Sequence, residues 1–173
     1  VDGNKRLTLA GRQMASLPVD PKLARMLVVA NAQGCLSEML IIVSALSIQD
    51  PREQGSGSKD QTEGDSEFVH PHSDFLSFKN IWDSYEKTRQ SATQEKLRKY
   101  CRTYHLSYMR MREWREVHRQ LLVTCQQLKF RVNREPAQYS AVHKAILSGA
   151  ISQIARHQEG KAYLGVRNKK FLL

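Results

Sequence analysis

The spacing of apolar residues along the chain predicts a protein built mainly from helices. Within the stretch from Leu106 to Leu128, apolar residues recur at intervals of three and four, at Trp114, Val117, Leu121, Cys125 and Leu128. This interval places them on one face of a helix, so the stretch predicts a long central helix with one buried side. Residues 35–48 are apolar on nearly every side, which predicts a shorter helix at the centre of the core.

Two helices are predicted before this buried one. Thr8 is a good N-cap for a short helix from Leu9 to about Ser16. Asp20 is a good N-cap for the next helix, with Pro21 in its first turn, and Gly34 is a plausible C-cap.

Two more helices are predicted before the central one. Ser73 or Asp74 begins a helix that carries Phe75 to Tyr85. The spacing of Ser91 and Gln94 is that of a capping box, which predicts the start of a helix leading into the central element.

The C-terminal third predicts one helix and a β-hairpin. The helix begins near Tyr139 and ends at Gly160, and Gly149 inside it costs about 1 kcal/mol relative to alanine, so close packing is expected there. Residues 162–166 and 170–173 are predicted to form two strands joined at residues 167–168. Residues 54–67 contain no large apolar side chain and predict a mobile loop within one domain.

The charge of the chain is concentrated around the central helix. The formal net charge is +10, and between Glu95 and Glu135 eleven Lys and Arg stand against four Glu, or 11 − 4 = +7. Arg112, Arg115 and Arg119 are offset from the apolar stripe and are predicted to point outward. This pattern favours a polyanionic partner, and nucleic acid is favoured over a membrane surface. The alternative is a basic face that contacts only solvent and has no partner.

The three cysteines, Cys35, Cys101 and Cys125, are far apart and form no CxxC pair. Their apolar surroundings predict buried free thiols, as in a reducing compartment, so we expect a cytoplasmic protein. The first residues lack the apolar segment of a signal peptide, and the run at 35–48 is too short to span a bilayer. We therefore expect no membrane partner.

No motif in the sequence supports catalysis. It contains no GxxxxGK[ST] or GxGxxG phosphate loop, no HExxH and no GxSxG. His70 and His72 could ligate a metal, but a third ligand is not evident. Glu113 and Glu116 neighbour arginines and are interpreted as members of surface ion pairs. We predict no catalytic residue and no metal site.

Arginines alternate with aromatic residues at the start of the central helix and in the segment before it. The run comprises Tyr100, Arg102, Tyr104, Tyr108, Arg110, Arg112, Trp114 and Arg115. Arginines pair with phosphates and tyrosines stack on unpaired bases, a combination that single-strand binders use. The alternative is that the aromatic residues belong to the core, which we favour for Trp114.

Several segments resemble the helicase-associated region of DEAH-box RNA helicases. They are Leu7–Leu27 with its Leu-Pro-x-Asp-Pro element, Cys35-Leu36, Ser44–Ser47, Asp50–Glu53, Ser73–Leu76, Asn80–Trp82, Cys101-Arg102 and Arg112–Trp114. The segments Ser73–Leu76 and Arg112–Trp114 are most similar to bacterial HrpA-type enzymes. The resemblance covers essentially the whole chain.

The resemblance implies a mainly α fold, a helical bundle called the ratchet domain, at residues 18–160. Residues 1–17 would be the end of a truncated winged-helix domain, and residues 161–173 the first strands of a truncated OB-fold. Two RecA-like domains would precede this region in a parent ATP-dependent RNA helicase and would bind ATP and Mg²⁺. This fragment would hold no cofactor and would not hydrolyse ATP.

The resemblance also implies how the bundle works. It would pack on the RecA-like motor domains and contact single-stranded RNA near the start of the central helix, which maps to Ser107, where the family often has asparagine. The RNA contacts predicted here are Ser107, Arg110, Arg112, Arg115 and Arg119. The alternative is a structural scaffold that joins the motor domains and the OB-fold without direct RNA contact.

Overall fold

Helices dominate the part of the chain that the computed structural model describes, residues 6–53, 67–158, 160–166 and 169–172. The helices are α1 (Leu9–Ala15), α2 (Pro21–Gln33), α3 (Leu36–Leu46), α4 (Asp74–Ser91), α5 (Gln94–Thr103), α6 (Tyr108–Gln127) and α7 (Tyr139–Ala150). A 3₁₀ turn at Ile151–Gln153 is followed by the strands β1 (Ala155–His157), β2 (Ala162–Gly165) and β3 (Lys170–Leu172). The predicted mainly α fold is confirmed. The predicted loop at 54–67 lies, except for Glu67, outside the described residues.

The centre of the fold is α3, as its apolar sequence predicts. Nine of its eleven residues are buried, and it packs against α2, α4, α6 and α7. A helix that is apolar on every side is stable only when other elements surround it.

The predicted caps of the first two helices are present. Thr8 Oγ1 accepts a hydrogen bond from Gly11 N at 3.1 Å, and Asp20 Oδ1 accepts one from Lys22 N at 2.8 Å. Gly34 ends α2 with a φ of 69°, a conformation that costs glycine little.

The predicted capping box at Ser91 is wrong. Ser91 is the last residue of α4, because the following Ala92 N still donates to Thr88 O at 3.0 Å. Thr93 caps α5 instead, and its hydroxyl accepts from Lys96 N. The chain needs two residues, Ala92 and Thr93, in extended conformation to leave one helix and enter the next.

The central helix α6 joins two hydrophobic clusters. Leu121 and Cys125 are buried in a cluster with α2, α3 and α7, whereas Met111 and Trp114 are buried in a second cluster with α4 and α5. Val117 and Leu128 are partly buried against the first cluster. The predicted apolar stripe of α6 is therefore confirmed.

The last helix is shorter than the apolar spacing predicts. It ends at Ala150 rather than Gly160, since Ile151 and Ile154 are 66% and 44% exposed and are not buried by the described part of the chain. Residues 155–157 pair instead with residues 163–165 of β2. The predicted hairpin of β2 and β3 is confirmed by the pairing of Ala162 with Leu172, and β1 makes it a three-stranded sheet. The predicted turn at 167–168 lies outside the described residues.

The three cysteines are buried free thiols, as predicted. Burial raises the pKa of Cys125 to about 11, so this thiol stays protonated near neutral pH. Within the described ranges, no helix has both the length and the apolar character needed to cross a membrane.

Candidate nucleic-acid interface

The start of α6 is held by the chain segment that follows α3. Ser107 N donates to Pro51 O at 2.8 Å, and Glu53 N donates to His105 O at 2.7 Å. Leu106 between them is buried and forms an isolated β-bridge with Arg52. His105 has a φ of 48°, which is unusual for a residue other than glycine. The main chain at the predicted RNA contact Ser107 is thus fixed from outside its own helix.

Ser107 occupies the N-cap position of α6. Its side chain makes no capping hydrogen bond, and the residue is half-buried. Its hydroxyl is therefore not committed to the helix end.

Arg110, one turn further along, points back toward the segment after α3. Its Nη1 donates to Asp50 O at 3.0 Å. Partial burial opposes ionisation of the Asp50 carboxyl, but hydrogen bonds from Arg52 outweigh it and lower the pKa of Asp50. Arg110 and Ser107 therefore belong to one side of α6, where they meet the segment at residues 50–53.

The other predicted contacts, Arg112, Arg115 and Arg119, line a different surface. They border an open groove of about 870 Å³ between α4 and α6, where Trp82 and Met109 supply apolar walls. Met109 is 67% exposed. The five predicted contacts are therefore divided between two sides of α6.

Two of the groove arginines are paired with carboxylates. Arg115 Nε donates to Glu86 Oε1 of α4, and Arg115 is half-buried rather than fully outward. Arg119 Nη2 donates to Glu116 Oε1 at 2.6 Å. The interpretation of Glu116 as a member of a surface ion pair is confirmed. Arg112 is exposed and forms no ion pair with any acidic residue in the described part of the chain.

A neutral histidine forms part of the groove wall. The His118 ring lies 4.5 Å from the Trp82 ring, centroid to centroid. Burial lowers the pKa of His118 to about 4 and outweighs the opposite effect of nearby Glu86. His118 therefore adds no positive charge to the groove at neutral pH.

Tyr108, a half-buried residue in the first turn of α6, lies close to two guanidinium groups. The Cζ atoms of Arg98 on α5 and Arg112 on α6 lie 5.2 Å and 6.0 Å from the centre of its ring. Arg98 and its helix neighbour Arg102 are exposed and, like Arg112, form no ion pair within the described ranges. We call Arg98, Arg102, Tyr108 and Arg112 the arginine–tyrosine surface.

Tyr108 and Arg102 belong to the arginine and aromatic run of the sequence, whereas Arg98 lies before that run. The spacing of four between Arg98 and Arg102 was the available signal, because it places both on one helix face. The contact between α5 and the start of α6 depends on tertiary packing.

Of the other aromatic residues in the run, Trp114 belongs to the core, whereas Tyr100 and Tyr104, like Tyr108, are partly buried against it. Trp114 is fully buried, and its Nε1 donates to Ile41 O at 3.1 Å and to Ser44 Oγ at 2.9 Å. The Tyr100 hydroxyl is 2.7 Å from Ser84 Oγ, and its ring packs against Tyr104. The core interpretation of Trp114 is confirmed.

His70 and His72 lie at the entrance to α4. His72 N donates to His70 Nδ1 at 3.3 Å, and the His70 ring stacks on Tyr139 of α7. Among the described residues, no three His, Cys, Asp or Glu side chains are grouped so that they could hold a metal ion.

Comparison with known proteins places the fold in a family. Residues 20–105 match the helicase associated domain (HA2), ratchet-like. The chain belongs to this family of helicase-associated domains, and the helical fold agrees with it.

The similarity extends beyond that domain over nearly the whole chain. The chain is 42% identical over 168 residues to ATP-dependent RNA helicase HrpA of Escherichia coli, covering 96% of the chain. It is 41% identical over 174 residues to an HrpA homolog of Haemophilus influenzae, covering 99% of the chain. A splicing helicase of Schizosaccharomyces pombe, prp22, is 26% identical over 160 residues, covering 90% of the chain. The chain spans 13% of the length of each of these relatives. The predicted HrpA-type helicase-associated region is confirmed.

Proposed function

We propose that this chain is a non-catalytic part of an ATP-dependent RNA helicase, packing on its motor domains and contacting single-stranded RNA at the start of α6. The relatives are described as ATP-dependent RNA helicases, which supports RNA as the partner. ATP hydrolysis is assigned to other parts of the parent, because this sequence contains no phosphate loop.

The observation that carries the proposal is the arginine–tyrosine surface. Arg98 and Arg112 lie close to the Tyr108 ring while remaining exposed and without an ion pair among the described residues. Free guanidinium groups can bind phosphates in bidentate fashion, and an aromatic ring beside them can stack on an unpaired base. Ser107, with a hydroxyl not used for capping, lies one residue before Tyr108.

The ion pairs rank the predicted contacts. Arg112 can bind a phosphate without breaking an ion pair of the described residues, whereas Arg115 and Arg119 would have to leave Glu86 and Glu116. Arg110 is held by Asp50 O. We propose Arg112 as the principal contact of the five predicted residues and add Arg98 and Tyr108 to it.

The test is the binding of a fluorescein-labelled single-stranded RNA, followed by fluorescence anisotropy over a series of salt concentrations. We expect the affinity of the wild type to fall with salt, because each phosphate contact contributes about −0.7 to the slope of log K against log salt for single strands. The double change Arg98→Ala and Arg112→Ala should weaken binding and make the slope shallower by about 1.4.

A matched control carries Arg131→Ala and Arg134→Ala. These arginines are exposed on the connection between α6 and α7 and have no ion pair in the described ranges, so the control loses the same charge at another place. Equal weakening in both double variants would indicate non-specific attraction to a basic protein and would contradict the proposed surface.

The second candidate function is a scaffold that joins other domains without touching RNA. The pairing of Arg115 with Glu86 and of Arg119 with Glu116 favours it, and so do the exposed apolar side chains of Leu147 and Ile151 on α7 and its 3₁₀ extension. Absence of salt-sensitive RNA binding by the wild type would favour the scaffold. A loss of RNA affinity on changing Arg115 and Arg119 to alanine would instead extend the RNA surface into the groove.

A further inference from the structure

The segment Asp50–Glu53, which we call the 50–53 clamp, lies between α3 and the turn that leads into α6. Its main chain holds that turn by two hydrogen bonds: Pro51 O accepts from Ser107 N, and Glu53 N donates to His105 O. Together these two bonds form the β-bridge between Arg52 and Leu106. The turn contains His105 at a φ of 48°. A non-glycine residue keeps this conformation only where its surroundings hold it.

The side chain of Arg52 fixes the clamp to the body of the protein. Its Nη2 lies 2.7 Å from Asp50 Oδ2 and its Nη1 lies 2.9 Å from Asp74 Oδ1, at the start of α4. The guanidinium carbon lies 4.7 Å from the centre of the Phe78 ring. The hydrogen bonds to Asp50 and Asp74 raise the pKa of Arg52, so its charge is permanent. All of its polar groups thus face protein partners.

The clamp is also held from the α6 side. Arg110 Nη1 donates to Asp50 O at 3.0 Å, so one residue of the clamp binds both Arg52 and the helix that the clamp orients. Ser107 and Arg110, both predicted RNA contacts, are connected to it directly. Tyr108 and Arg112 lie in the same two turns of α6.

We infer that the 50–53 clamp positions the start of α6 for binding RNA, and that Arg52 is a positioning residue that does not itself touch RNA. This inference rests on the proposed function. Its physical basis is that a helix start held by two main-chain hydrogen bonds presents its side chains in one orientation, which lowers the entropy cost of binding.

Opposite charge changes distinguish positioning from simple electrostatics. Arg52→Gln removes a positive charge and Asp50→Ala removes a negative one, yet both break the Asp50–Arg52 ion pair that fixes the clamp. If the clamp acts by positioning, both variants should bind single-stranded RNA about tenfold more weakly, an effect of the size of one charge-assisted hydrogen bond. Electrostatics alone predicts weaker binding for Arg52→Gln and tighter binding for Asp50→Ala.

The matched controls are Lys79→Gln and Asp83→Ala, which break an exposed ion pair on α4 and change the charge in the same two ways. We expect them to bind RNA within about twofold of the wild type, as surface changes away from the contact do. Arg52→Lys tests geometry at constant charge and should restore only part of the affinity, because lysine lacks the planar fork of arginine.

Two readouts keep this inference separate from the proposed function. Amide hydrogen exchange of the peptide covering residues 105–112 should become faster in Arg52→Gln and Asp50→Ala, and circular dichroism checks that the helices remain. Asp74→Asn serves as a milder variant if either of the first two unfolds.

Wild-type protein that fails to bind RNA would contradict the proposed function and the inference together. Wild-type binding that is lost in the Arg98 and Arg112 double variant but kept in the clamp variants would overturn the positioning role alone.

Discussion

Gly149 on α7 lies directly against the carbonyl oxygen of Lys22 on α2. An ideal Cβ at residue 149 would sit 2.2 Å from that oxygen and 2.8 Å from Met26 Cγ. Glycine in a helix normally costs stability, so its presence here is explained by the close approach of the two helices, as the sequence predicted.

Gly149→Ala is expected to destabilise the protein by about 3 kcal/mol, because the new methyl group must push the two helix backbones apart. The measurement is chemical denaturation with urea. The control is Gly11→Ala in α1, where the added Cβ would meet its nearest atom at 3.4 Å; there alanine should be neutral or stabilise by up to about 1 kcal/mol. Equal stability of the two variants would show that α2 and α7 can separate freely.

A second prediction concerns Glu38, a buried carboxylate in the first turn of α3. Its Oε1 accepts from Ala137 N at 2.9 Å and its Oε2 accepts from Asn133 Nδ2 at 3.0 Å. Glu38→Ala should cost about 3 kcal/mol of unfolding free energy, since it leaves two partly buried donors without their charged acceptor. The control is Glu135→Ala, at an exposed position of the connection between α6 and α7 that also contains Asn133 and Ala137. It should change the free energy of unfolding by less than about 0.5 kcal/mol.

A third prediction separates the core role of Trp114 from RNA binding. Trp114→Phe removes the hydrogen bonds to Ile41 O and Ser44 Oγ and part of a buried ring, which should cost about 2 kcal/mol. Because Trp114 is fully buried, RNA affinity measured well below the unfolding temperature should not change. A selective loss of RNA affinity in a folded Trp114→Phe protein would contradict its assignment to the core.

A fourth prediction follows from the pKa of about 4 for His118, against an ordinary value of about 6.5. Between these values the unfolded chain binds a proton that the folded protein does not, so stability is complete above about pH 6.5 and falls as the pH decreases toward 4. The contribution amounts to up to about 3 kcal/mol. His118→Phe, which keeps a ring beside Trp82 but cannot titrate, should lose less stability between pH 7 and pH 4.5 in urea denaturation. Identical pH profiles of the two proteins would show that His118 does not take part.

The regular spacing of apolar residues and the cap residues were sufficient to predict most of the helices. The apolar stripe of α6, the buried sequence of α3 and the caps Thr8 and Asp20 each rest on residues close together in the chain, and the structure confirms them. The capping box predicted at Ser91 is wrong because α4 continues through this residue, although the local sequence has the spacing of a cap. The end of α7 was predicted too far along the chain because its apolar spacing continues to Ile154. That residue is 44% exposed and is not buried by the described residues.

In the candidate site too, the local sequence predicts some features and tertiary packing decides others. The sequence identified a basic, aromatic stretch around the start of α6, and the structure brings Arg98 of α5 and Arg112 of α6 close to the ring of Tyr108. The sequence did not indicate that Glu86, on another helix, pairs with Arg115. Nor did it indicate that Asp50 binds Arg110.

What the sequence determined by itself is the helical architecture, the buried face of each long helix, the family, and the concentration of positive charge around α6. These properties depend on the identity and spacing of neighbouring residues, which secondary structure converts directly into faces and ends. The tertiary structure decided which arginines are free. Whether a guanidinium meets a carboxylate, an aromatic ring or solvent depends on how separate helices pack, so Arg115 is paired with Glu86 while Arg112 stays exposed beside Tyr108.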